Sequence, residues 1–249
     1  MPAFDRLFDD AELAEFYDLE NGWGVDLDFC AGLAAEATSV LDLGCGTGEL
    51  ATALGEGRRV VGVDPATAML DIARAKPGAE RVRFIEADAR TVRLGERFDL
   101  VVMTGHAFQV FLTEPDQSAV LATIAAHLAP GGRFIFDTRN PQVREWLEWV
   151  PQLSERQLDH PRHGRVTAWN DMAYDPDTGI VTYTTHYLIE ATRQELSAAS
   201  KILFTPKERI AALIASAGLC AERWAGDWQG GSWHELAAEI IPIGRPAAP

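Results

Sequence analysis

The sequence predicts an α/β protein built on a doubly wound, mostly parallel sheet. Between residues 40 and 138, strand-like apolar runs alternate with helical stretches of roughly ten to fifteen residues. The first of these runs leads directly into a glycine-rich turn at residues 44 to 48. Beyond residue 140 the pattern changes to the short-period alternation of antiparallel hairpins. One α/β domain with a β insertion accounts for all three observations.

The first strand and its turn lie in the run from Val40 to Leu50. Gly44, Gly46 and Gly48 remove each Cβ from the turn, so its backbone can adopt positive φ and approach a ligand closely. Glu49 occupies the place of the third glycine in the dinucleotide-binding pattern. A carboxylate there would repel a phosphate, so a nucleotide-like ligand without phosphate is favoured over a structural turn.

Each later strand of the predicted sheet brings a polar residue to its end. The strand Arg59–Asp64 ends in an acid twenty residues beyond Gly44, and the next strand, over residues 82–89, carries Asp88. Asp64 could instead cap a helix starting at Pro65, and Asp88 could be a turn residue. Two more strands are predicted at residues 97–105 and 133–138, with covering helices at 65–76 and 117–128.

Taken together, these landmarks resemble the class I S-adenosylmethionine-dependent methyltransferases. The similar motifs are Gly-x-Gly-x-Gly with Asp42 upstream, then Asp64, then Asp88, then Phe98-Asp99, and finally Leu128-Ala-Pro-Gly-Gly132. The resemblance covers residues 40 to 138 and implies a Rossmann-like sheet of seven strands with an antiparallel last strand. It also implies S-adenosyl-L-methionine as cofactor, with S-adenosyl-L-homocysteine as product.

The resemblance implies specific cofactor contacts. Asp64 would accept hydrogen bonds from the ribose hydroxyls, and Asp88 and the amide of Ala89 would face the adenine. Tyr17 precedes the first strand at a position where many relatives close a helix over the cofactor, although core packing is an equal alternative. Cys45 can pack within the turn. The full set of expected cofactor-binding residues is Tyr17, Asp42, Gly44, Cys45, Gly46, Gly48, Asp64, Pro65, Met69, Asp88, Ala89, Met103 and Thr104.

We expect one methyltransferase domain over residues 1–249. It divides into an N-terminal helical lid (1–36), a cofactor-binding core (37–140), an inserted β segment covering the acceptor (141–204), and a C-terminal helix and strands completing the core (205–249). The acid-rich stretch 9–20 reads as one amphipathic helix. Thr205-Pro-Lys-Glu208 reads as a capping box that opens a helix.

His106 is the candidate catalytic residue. The loop after the fourth strand begins beside the expected methyl group, and an amine acceptor must lose a proton before it can react. Hydrogen bonding to a backbone carbonyl is the alternative role for this histidine. His106, Arg139, Asn140 and Trp169 are the expected acceptor contacts, although Arg139 could pair with a local acid and Trp169 could belong to the core. The histidines show no metal-ligand spacing, so no metal is expected.

Composition limits the partners. With 37 acidic and 22 basic residues the formal charge is −15, which gives no basic field for nucleic acid. Three widely spaced cysteines indicate free thiols, and no segment resembles a membrane span or a secretory signal, so a cytoplasmic monomer or homodimer is expected. A small-molecule acceptor, with nitrogen somewhat favoured over oxygen, is the leading hypothesis. The alternatives are a protein or RNA methyltransferase and a noncatalytic S-adenosylmethionine-binding regulatory protein.

Overall fold

The computed structural model describes residues 5–247, which form two sheets and nine α-helices. The predicted lid and C-terminal segment extend beyond these limits, and residues 1–4 and 248–249 lie outside the described range. The strands are β1 (Ser39–Leu43), β2 (Arg59–Asp64), β3 (Val82–Glu86), β4 (Phe98–Met103), β5 (Leu128–Phe136), β6 (Thr138–Arg139), β7 (Arg156–His160), β8 (Gly164–Asp175), β9 (Ile180–Ile189), β10 (Gln194–Leu203), β11 (Leu219–Ala225) and β12 (Glu239–Pro246).

The helices are short at the N-terminus and longer in the core. They are α1 (Arg6–Asp9), α2 (Ala11–Ala14), α3 (Tyr17–Glu20), α4 (Val25–Leu33), α5 (Glu49–Leu54), α6 (Thr67–Ala75), α7 (Glu114–His127), α8 (Pro151–Ser154) and α9 (Lys207–Ser216). The predicted helices at 65–76 and 117–128 correspond to α6 and α7. Within residues 5–247, no helix combines the length and apolar character needed to cross a bilayer.

The larger sheet confirms the predicted fold class. Its seven main strands follow the order β11-β12-β5-β4-β1-β2-β3, with β6 pairing with β12 beside this path. Strands β1 to β5 pair in parallel, and β12 is antiparallel to β5. The carboxyl ends of β1, β2, β3 and β4 therefore meet at one edge, where the polar residues of the sequence motifs collect.

Both faces of this sheet are covered by helices, as a doubly wound fold requires. Leu41 and Val61 point to one face and pack in a cluster with residues of α7 and α9. Their neighbours Val40 and Val60 point to the other face and pack with residues of α4 and α5. This alternation follows from the two-residue repeat of a strand. Because both faces are buried, β1 is apolar along almost its whole length.

The inserted segment forms a second, antiparallel sheet in the order β10-β9-β8-β7. Antiparallel strands beyond residue 140 were predicted, but β7 does not carry the alternating pattern on which that prediction rests. In β7, Leu158 is flanked by polar residues on both sides, so the strand carries little hydrophobic periodicity. Leu13 and Phe16 from the N-terminal segment pack against Val166 and Tyr187 of this sheet. The N-terminal segment thus lies between the two sheets.

The single amphipathic helix expected over residues 9–20 is not formed. Three one-turn helices take its place, because Asp10 adopts an extended conformation and its side chain accepts a hydrogen bond from the Glu12 amide. An aspartate that caps a new helix ends the preceding one. Phe16 and Tyr17 still face inward, so the hydrophobic pattern was interpreted correctly while the helix length was wrong.

The capping box at residues 205–208 is also absent. Helix α9 begins at Lys207 without a side-chain cap. The Thr205 hydroxyl instead accepts a hydrogen bond of 2.7 Å from the Gln117 amide of α7. Tertiary pairing of a buried threonine therefore replaced the local cap.

Candidate functional site

A cavity of about 940 Å³ opens at the carboxyl ends of β1 to β4 and extends to the second sheet. Its volume is at the upper end of the usual range for small-molecule sites, about 300–1,000 Å³. One end is lined by the glycine turn and the acids that follow the strands. The other end is lined by side chains of β8, β9 and β10. The cavity is therefore large enough to hold two ligands side by side.

The glycine turn has the predicted conformation, with positive φ at Gly44, Gly46 and Gly48. At Gly46 a Cβ would meet only the Tyr17 ring, at 3.8 Å, so this face is open to the cavity. At Gly48 a Cβ would lie 2.8 Å from the Phe84 ring. Gly48 does not line the cavity, which corrects its assignment as a cofactor contact: it allows the turn to pack against β3. Cys45 packs beside Gly62 of β2 and also lines the cavity.

Asp64 holds the turn in place. Its Oδ2 accepts a hydrogen bond of 2.9 Å from the Gly46 amide, and its Oδ1 accepts one of 2.9 Å from the Ala66 amide. It does not cap α6, which begins at Thr67 after Ala66. Burial raises the pKa of Asp64, and these amide hydrogen bonds oppose the rise. Each carboxylate oxygen keeps a lone pair for a ligand hydroxyl.

Asp42 is almost fully buried at the same end of the cavity. Burial, followed by the nearby charge of Asp64, raises the pKa of Asp42 to about 7. Within residues 5–247, its Oδ1 is buried without a hydrogen-bond partner. A buried acceptor of this kind is costly unless a ligand or water supplies a donor. The unpartnered Oδ1 of Asp42 therefore indicates that a ligand binds at this end of the cavity.

The N-terminal segment closes over the turn. Tyr17 covers Gly46, and its neighbour Asp18 accepts a hydrogen bond of 2.5 Å from the Thr47 hydroxyl. Lys76 at the end of α6 lies 2.6 Å from Asp18 and 2.5 Å from Glu49. Glu49, which stands in place of the dinucleotide glycine, thus binds the same lysine that contacts Asp18 of the N-terminal segment.

Asp88 lines the cavity but is already engaged by Arg90. The Arg90 guanidinium contacts both Asp88 oxygens, at 2.6 to 3.0 Å, and also reaches Asp116. Burial tends to raise the pKa of Asp88, but the Arg90 hydrogen bonds outweigh it and the pKa lies below its usual value. The carboxylate is therefore charged and fixed beside Ala89. Arg90, which also lines the cavity, was not predicted.

His106 lies on the wall of the cavity in a left-handed conformation, with φ of 59°. Its ring Nε2 is 3.0 Å from Glu239 Oε1 and 3.3 Å from Asp137 Oδ2. Burial raises the pKa of Asp137 to about 6, and the His106 charge opposes the rise. Glu239 begins β12, 133 residues away, so no local motif predicts this contact.

Among residues 5–247, groups of side chains that could ligate a metal converge at two places, His106 with Asp137 and Glu239, and Glu15 with His160 and His163. Neither group has a recognisable sequence spacing. In the second group, Arg162 lies 2.9 Å from Glu15. His160 Nδ1 is within hydrogen-bond distance of the Arg162 and His163 amides. The expectation that no metal is bound stays a prediction.

Arg139 lines the cavity, but two other predicted acceptor contacts do not. The Arg139 guanidinium lies 5.1 Å from the centre of the Trp149 ring and 3.2 Å from Glu145. Asn140 is buried elsewhere, because its amide donates to the carbonyls of Glu235 and Ala237. Trp169 stacks on the His186 ring on the face of β8 opposite to Asn170, which lines the cavity. Asn140 and Trp169 thus have structural roles.

The second sheet contributes most of the lining that the sequence did not reveal. Tyr183 and Ser200, which are register partners on β9 and β10, both face the cavity. Arg156 lines it too, and is paired with Glu20 of the N-terminal segment at 2.6 Å. Apart from Gly48, all predicted cofactor contacts line the cavity. The residues found only from the structure include Glu20, Arg90, Arg156, Asn170, Thr185, Tyr187, Ser200 and Lys201.

Residues 40–132 match the family described as "Methyltransferase domain". A cypemycin N-terminal methyltransferase from Streptomyces sp is 37% identical over 141 residues, covering 53% of this chain and 56% of that protein. A demethylmenaquinone methyltransferase from Deinococcus radiodurans is 33% identical over 177 residues, covering 66% of this chain and 72% of that protein. The matches to the first curated relatives span only 52% to 61% of those relatives' length.

Solved structures share the whole fold at low sequence identity. An S-adenosylmethionine-dependent methyltransferase from Clostridium acetobutylicum superposes with a TM-score of 0.80 at 17% identity, covering 95% of this chain and 98% of that one. A sugar N-methyltransferase from Streptoalloteichus sp superposes with a TM-score of 0.75 at 22% identity, covering 92% of this chain and 91% of that one. The inserted second sheet is therefore part of a shared architecture.

Proposed function

The chain belongs to the class I S-adenosylmethionine-dependent methyltransferases, and on this premise we propose that it methylates an amine of a small, polar molecule. One observation carries the proposal: a single cavity connects the glycine turn with a polar wall on the second sheet. The turn end fits the cofactor, and the wall is where an acceptor would bind.

The residues at the turn end suit S-adenosylmethionine on chemical grounds. Asp64 can accept ribose hydroxyl hydrogens, and Asp42 offers an acceptor oxygen that has no partner within residues 5–247. Asp42 and Asp64 give this end acidic character, which suits a cationic ligand and disfavours phosphate. Tyr17 covers the Gly46 face of the turn and would exclude water from the bound cofactor.

S-adenosylmethionine supplies a methyl group on a cationic sulfur, which is an activated leaving group. The protein's task is then mainly to hold the acceptor in line, and such positioning can contribute about 7–11 kcal/mol. The N-terminal segment and the second sheet are the elements placed to do so. His106 lines the same cavity and offers a proton acceptor for the amine.

The character of the second wall supports a polar acceptor. Asn170, Thr185, Tyr183 and Ser200 bring amide and hydroxyl groups to a wall that also contains apolar side chains. An amine or a hydroxylated compound can form hydrogen bonds with these groups, whereas the isoprenoid tail of a quinone cannot. One of the similar proteins is named as a sugar N-methyltransferase and another as a cypemycin N-terminal methyltransferase, which agrees with nitrogen as the target.

Calorimetry and turnover test the proposal in sequence. S-adenosylmethionine and S-adenosylhomocysteine should each bind the purified chain, and NADH should not. A panel of aminosugars, short peptides with free N-termini, phenols and quinols, assayed with a labelled methyl donor, should then show turnover on amines. Binding of both cofactor forms without turnover of any acceptor would favour a regulatory binding protein. Turnover confined to phenols or quinols would move the acceptor to oxygen or carbon.

A further inference from the structure

The loop that carries His106 is held in an unfavourable backbone conformation by one buried carboxylate. His106 has φ of 59°, a left-handed conformation that costs non-glycine residues about 1 kcal/mol or more. Its backbone amide lies 3.0 and 3.2 Å from the two oxygens of Asp137. The Asp137 side chain is 1% exposed and follows the end of β5. Asp137 therefore fixes the position of the His106 backbone, from which the imidazole side chain extends.

A second carboxylate fixes how the ring is turned. Nε2 of His106 lies 3.0 and 3.1 Å from the two oxygens of Glu239, and Asp137 Oδ2 is 3.3 Å from the same nitrogen. Glu239 is itself fixed, because it pairs in register with Arg139 and its amide donates to the Gly226 carbonyl. Ionised carboxylates only accept hydrogen bonds, so Nε2 must carry the hydrogen.

The other ring nitrogen is left with its lone pair. Across residues 5–247, no hydrogen bond involves Nδ1 of His106. His106 is one of the residues that line the cavity, whereas Asp137 and Glu239 are not. This arrangement of carboxylates, ring and open nitrogen is the one that makes a neutral histidine a directed base.

We propose that Glu239 and Asp137 are positioning residues that hold His106 as its Nε2–H tautomer, so that Nδ1 takes the proton of a protonated amine acceptor. This rests on the proposed function. In the step, the N–H bond of the ammonium breaks and its electron pair stays on the amine nitrogen. A new Nδ1–H bond forms, and the positive charge moves to the ring, beside two carboxylates. The amine is then free to act as nucleophile.

The surrounding charges agree with this role. The titratable groups facing the His106 and Asp137 pair are Glu239, Arg139 and, from the N-terminal segment, the phenol of Tyr17. Burial raises the pKa of Tyr17, which keeps that phenol neutral. Glu239 and Asp137 together can balance both the imidazolium and Arg139. A base whose charged form is stabilised by fixed neighbours accepts a proton without reorganising solvent.

The tautomer can be tested without cofactor or acceptor. In protein labelled with ¹⁵N-histidine, long-range ¹H–¹⁵N correlation spectra distinguish a protonated from an unprotonated ring nitrogen, and the His106→Gln spectrum assigns the signals. At pH 8 we expect protonated Nε2, unprotonated Nδ1 and slow exchange of the Nε2 hydrogen with water. Glu239→Ala should speed that exchange and populate the Nδ1–H tautomer. Glu239→Gln, which keeps an acceptor oxygen, should retain the Nε2–H tautomer with faster exchange than wild type.

A matched control separates this effect from loss of charge or fold. Glu222 pairs with Arg245 on the same sheet, away from the cavity, so Glu222→Ala should leave the His106 signals unchanged. A ring protonated on both nitrogens at pH 8, or an unchanged Nε2 hydrogen in both Glu239 variants, would overturn the proposal. So would a shift of these ring signals on adding stoichiometric Zn²⁺ or Mg²⁺, which would identify the cluster as a cation site.

An amine acceptor found in the turnover panel gives a second readout. General bases contribute roughly 10² to 10⁴ in rate, so Glu239→Ala should lower kcat about tenfold or more, with S-adenosylhomocysteine affinity within about twofold of wild type. Equal loss of kcat and cofactor affinity would contradict a positioning role. Failure of the proposed function would appear as absent cofactor binding or turnover, while the NMR result would stand by itself.

Discussion

Lys76 Nζ lies 2.6 Å from the carboxylate of Asp18, joining the end of α6 to the N-terminal segment. The same ammonium group contacts Glu49 and the Thr47 hydroxyl of the glycine turn. The Lys76 side chain is 16% exposed, so these contacts are partly shielded from solvent. The contacts between the N-terminal segment, the glycine turn and the end of α6 therefore depend on one lysine.

Removing this lysine should loosen the lid. Lys76→Met leaves Asp18 and Glu49 as neighbouring acids with no cation between them. We expect S-adenosylhomocysteine binding to weaken by about 1 kcal/mol, or about fivefold, because closure of Tyr17 over the turn becomes less favourable. Calorimetry measures this change. Arg74→Met removes a charge from the same helix, where Arg74 pairs with exposed Asp71, and should leave affinity unchanged. Equal effects of the two substitutions would contradict the lid role.

Asp64 and Asp99 offer a direct contrast between binding and stability. Both carboxylates hold backbone amides, but Asp64 does so at the cavity and Asp99 at the opposite end of β1, against Thr38 and Ser39. Asp64→Ala should weaken S-adenosylmethionine binding at least tenfold, since a hydrogen bond to a charged group contributes about 1.5–3 kcal/mol. Asp99→Ala should lower the free energy of unfolding with little change in affinity. Calorimetry and urea unfolding on both variants check this, and an unaltered affinity in Asp64→Ala would refute the ribose contact.

Asp42 predicts a pH dependence of stability. Its pKa is about 3.9 in an unfolded chain and about 7 in the fold, so the folded state binds more protons between these values. Stability from this group is therefore greatest below pH 4 and falls as the pH rises to about 7. Asp42→Asn stays uncharged at every pH, so this substitution should remove the pH dependence that Asp42 contributes. The stability of the variant relative to wild type should therefore be higher at pH 7.5 than at pH 4.5.

Urea unfolding of the ligand-free protein at several pH values measures the difference between wild type and Asp42→Asn. A full three-unit shift corresponds to roughly 4 kcal/mol at most. Burial also raises the pKa of Asp137, so the Asp42→Asn variant should keep a smaller slope of the same sign. Asp71→Asn, at an exposed surface position, serves as control and should reproduce the wild-type slope. A parallel pair of curves for wild type and Asp42→Asn would refute the prediction.

Substitutions at three glycines can distinguish a glycine needed for close packing from one needed for a ligand to approach the backbone. A Cβ at Gly48 would lie 2.8 Å from Phe84, whereas Gly57 has a similar positive φ and open space around it. Gly57→Ala should cost only the backbone strain, about 1 kcal/mol, and Gly48→Ala should cost about 1–3 kcal/mol more. Gly46→Ala should resemble Gly57→Ala in urea unfolding but lose S-adenosylmethionine affinity. Equal stabilities for the Gly48 and Gly57 variants would show that the turn relaxes.

The cofactor end was predictable because its residues follow the strands that place them. Strand period, glycine spacing and the twenty-residue interval locate Gly46 and Asp64 together without any three-dimensional information. The same reasoning from strand ends failed for Asn140, which directly follows β6. Its side-chain amide does not line the cavity, because it donates hydrogen bonds to the carbonyls of residues 235 and 237. Being close to a strand end was not enough where a distant loop offered better hydrogen bonds.

The acceptor end was not predictable because it is assembled from distant segments. Arg156 and Glu20 meet across 136 residues, and Glu239 reaches His106 across 133. The hydrophobic periodicity of the sequence contains no information about such long-range pairs. Trp169 and Asn170 are neighbours on β8, so their side chains must lie on opposite faces of the second sheet. Which of the two faces lines the cavity depends on how this sheet packs against the N-terminal segment.

The position of Tyr17 has a consequence for the order of kinetic events. Because its ring covers Gly46 and its segment is tied down through Asp18, we expect spent cofactor to exchange only when that segment lifts. The acceptor wall belongs to a different sheet and imposes no such requirement. We therefore expect an ordered cycle in which cofactor enters first and leaves last, with its departure setting the turnover rate.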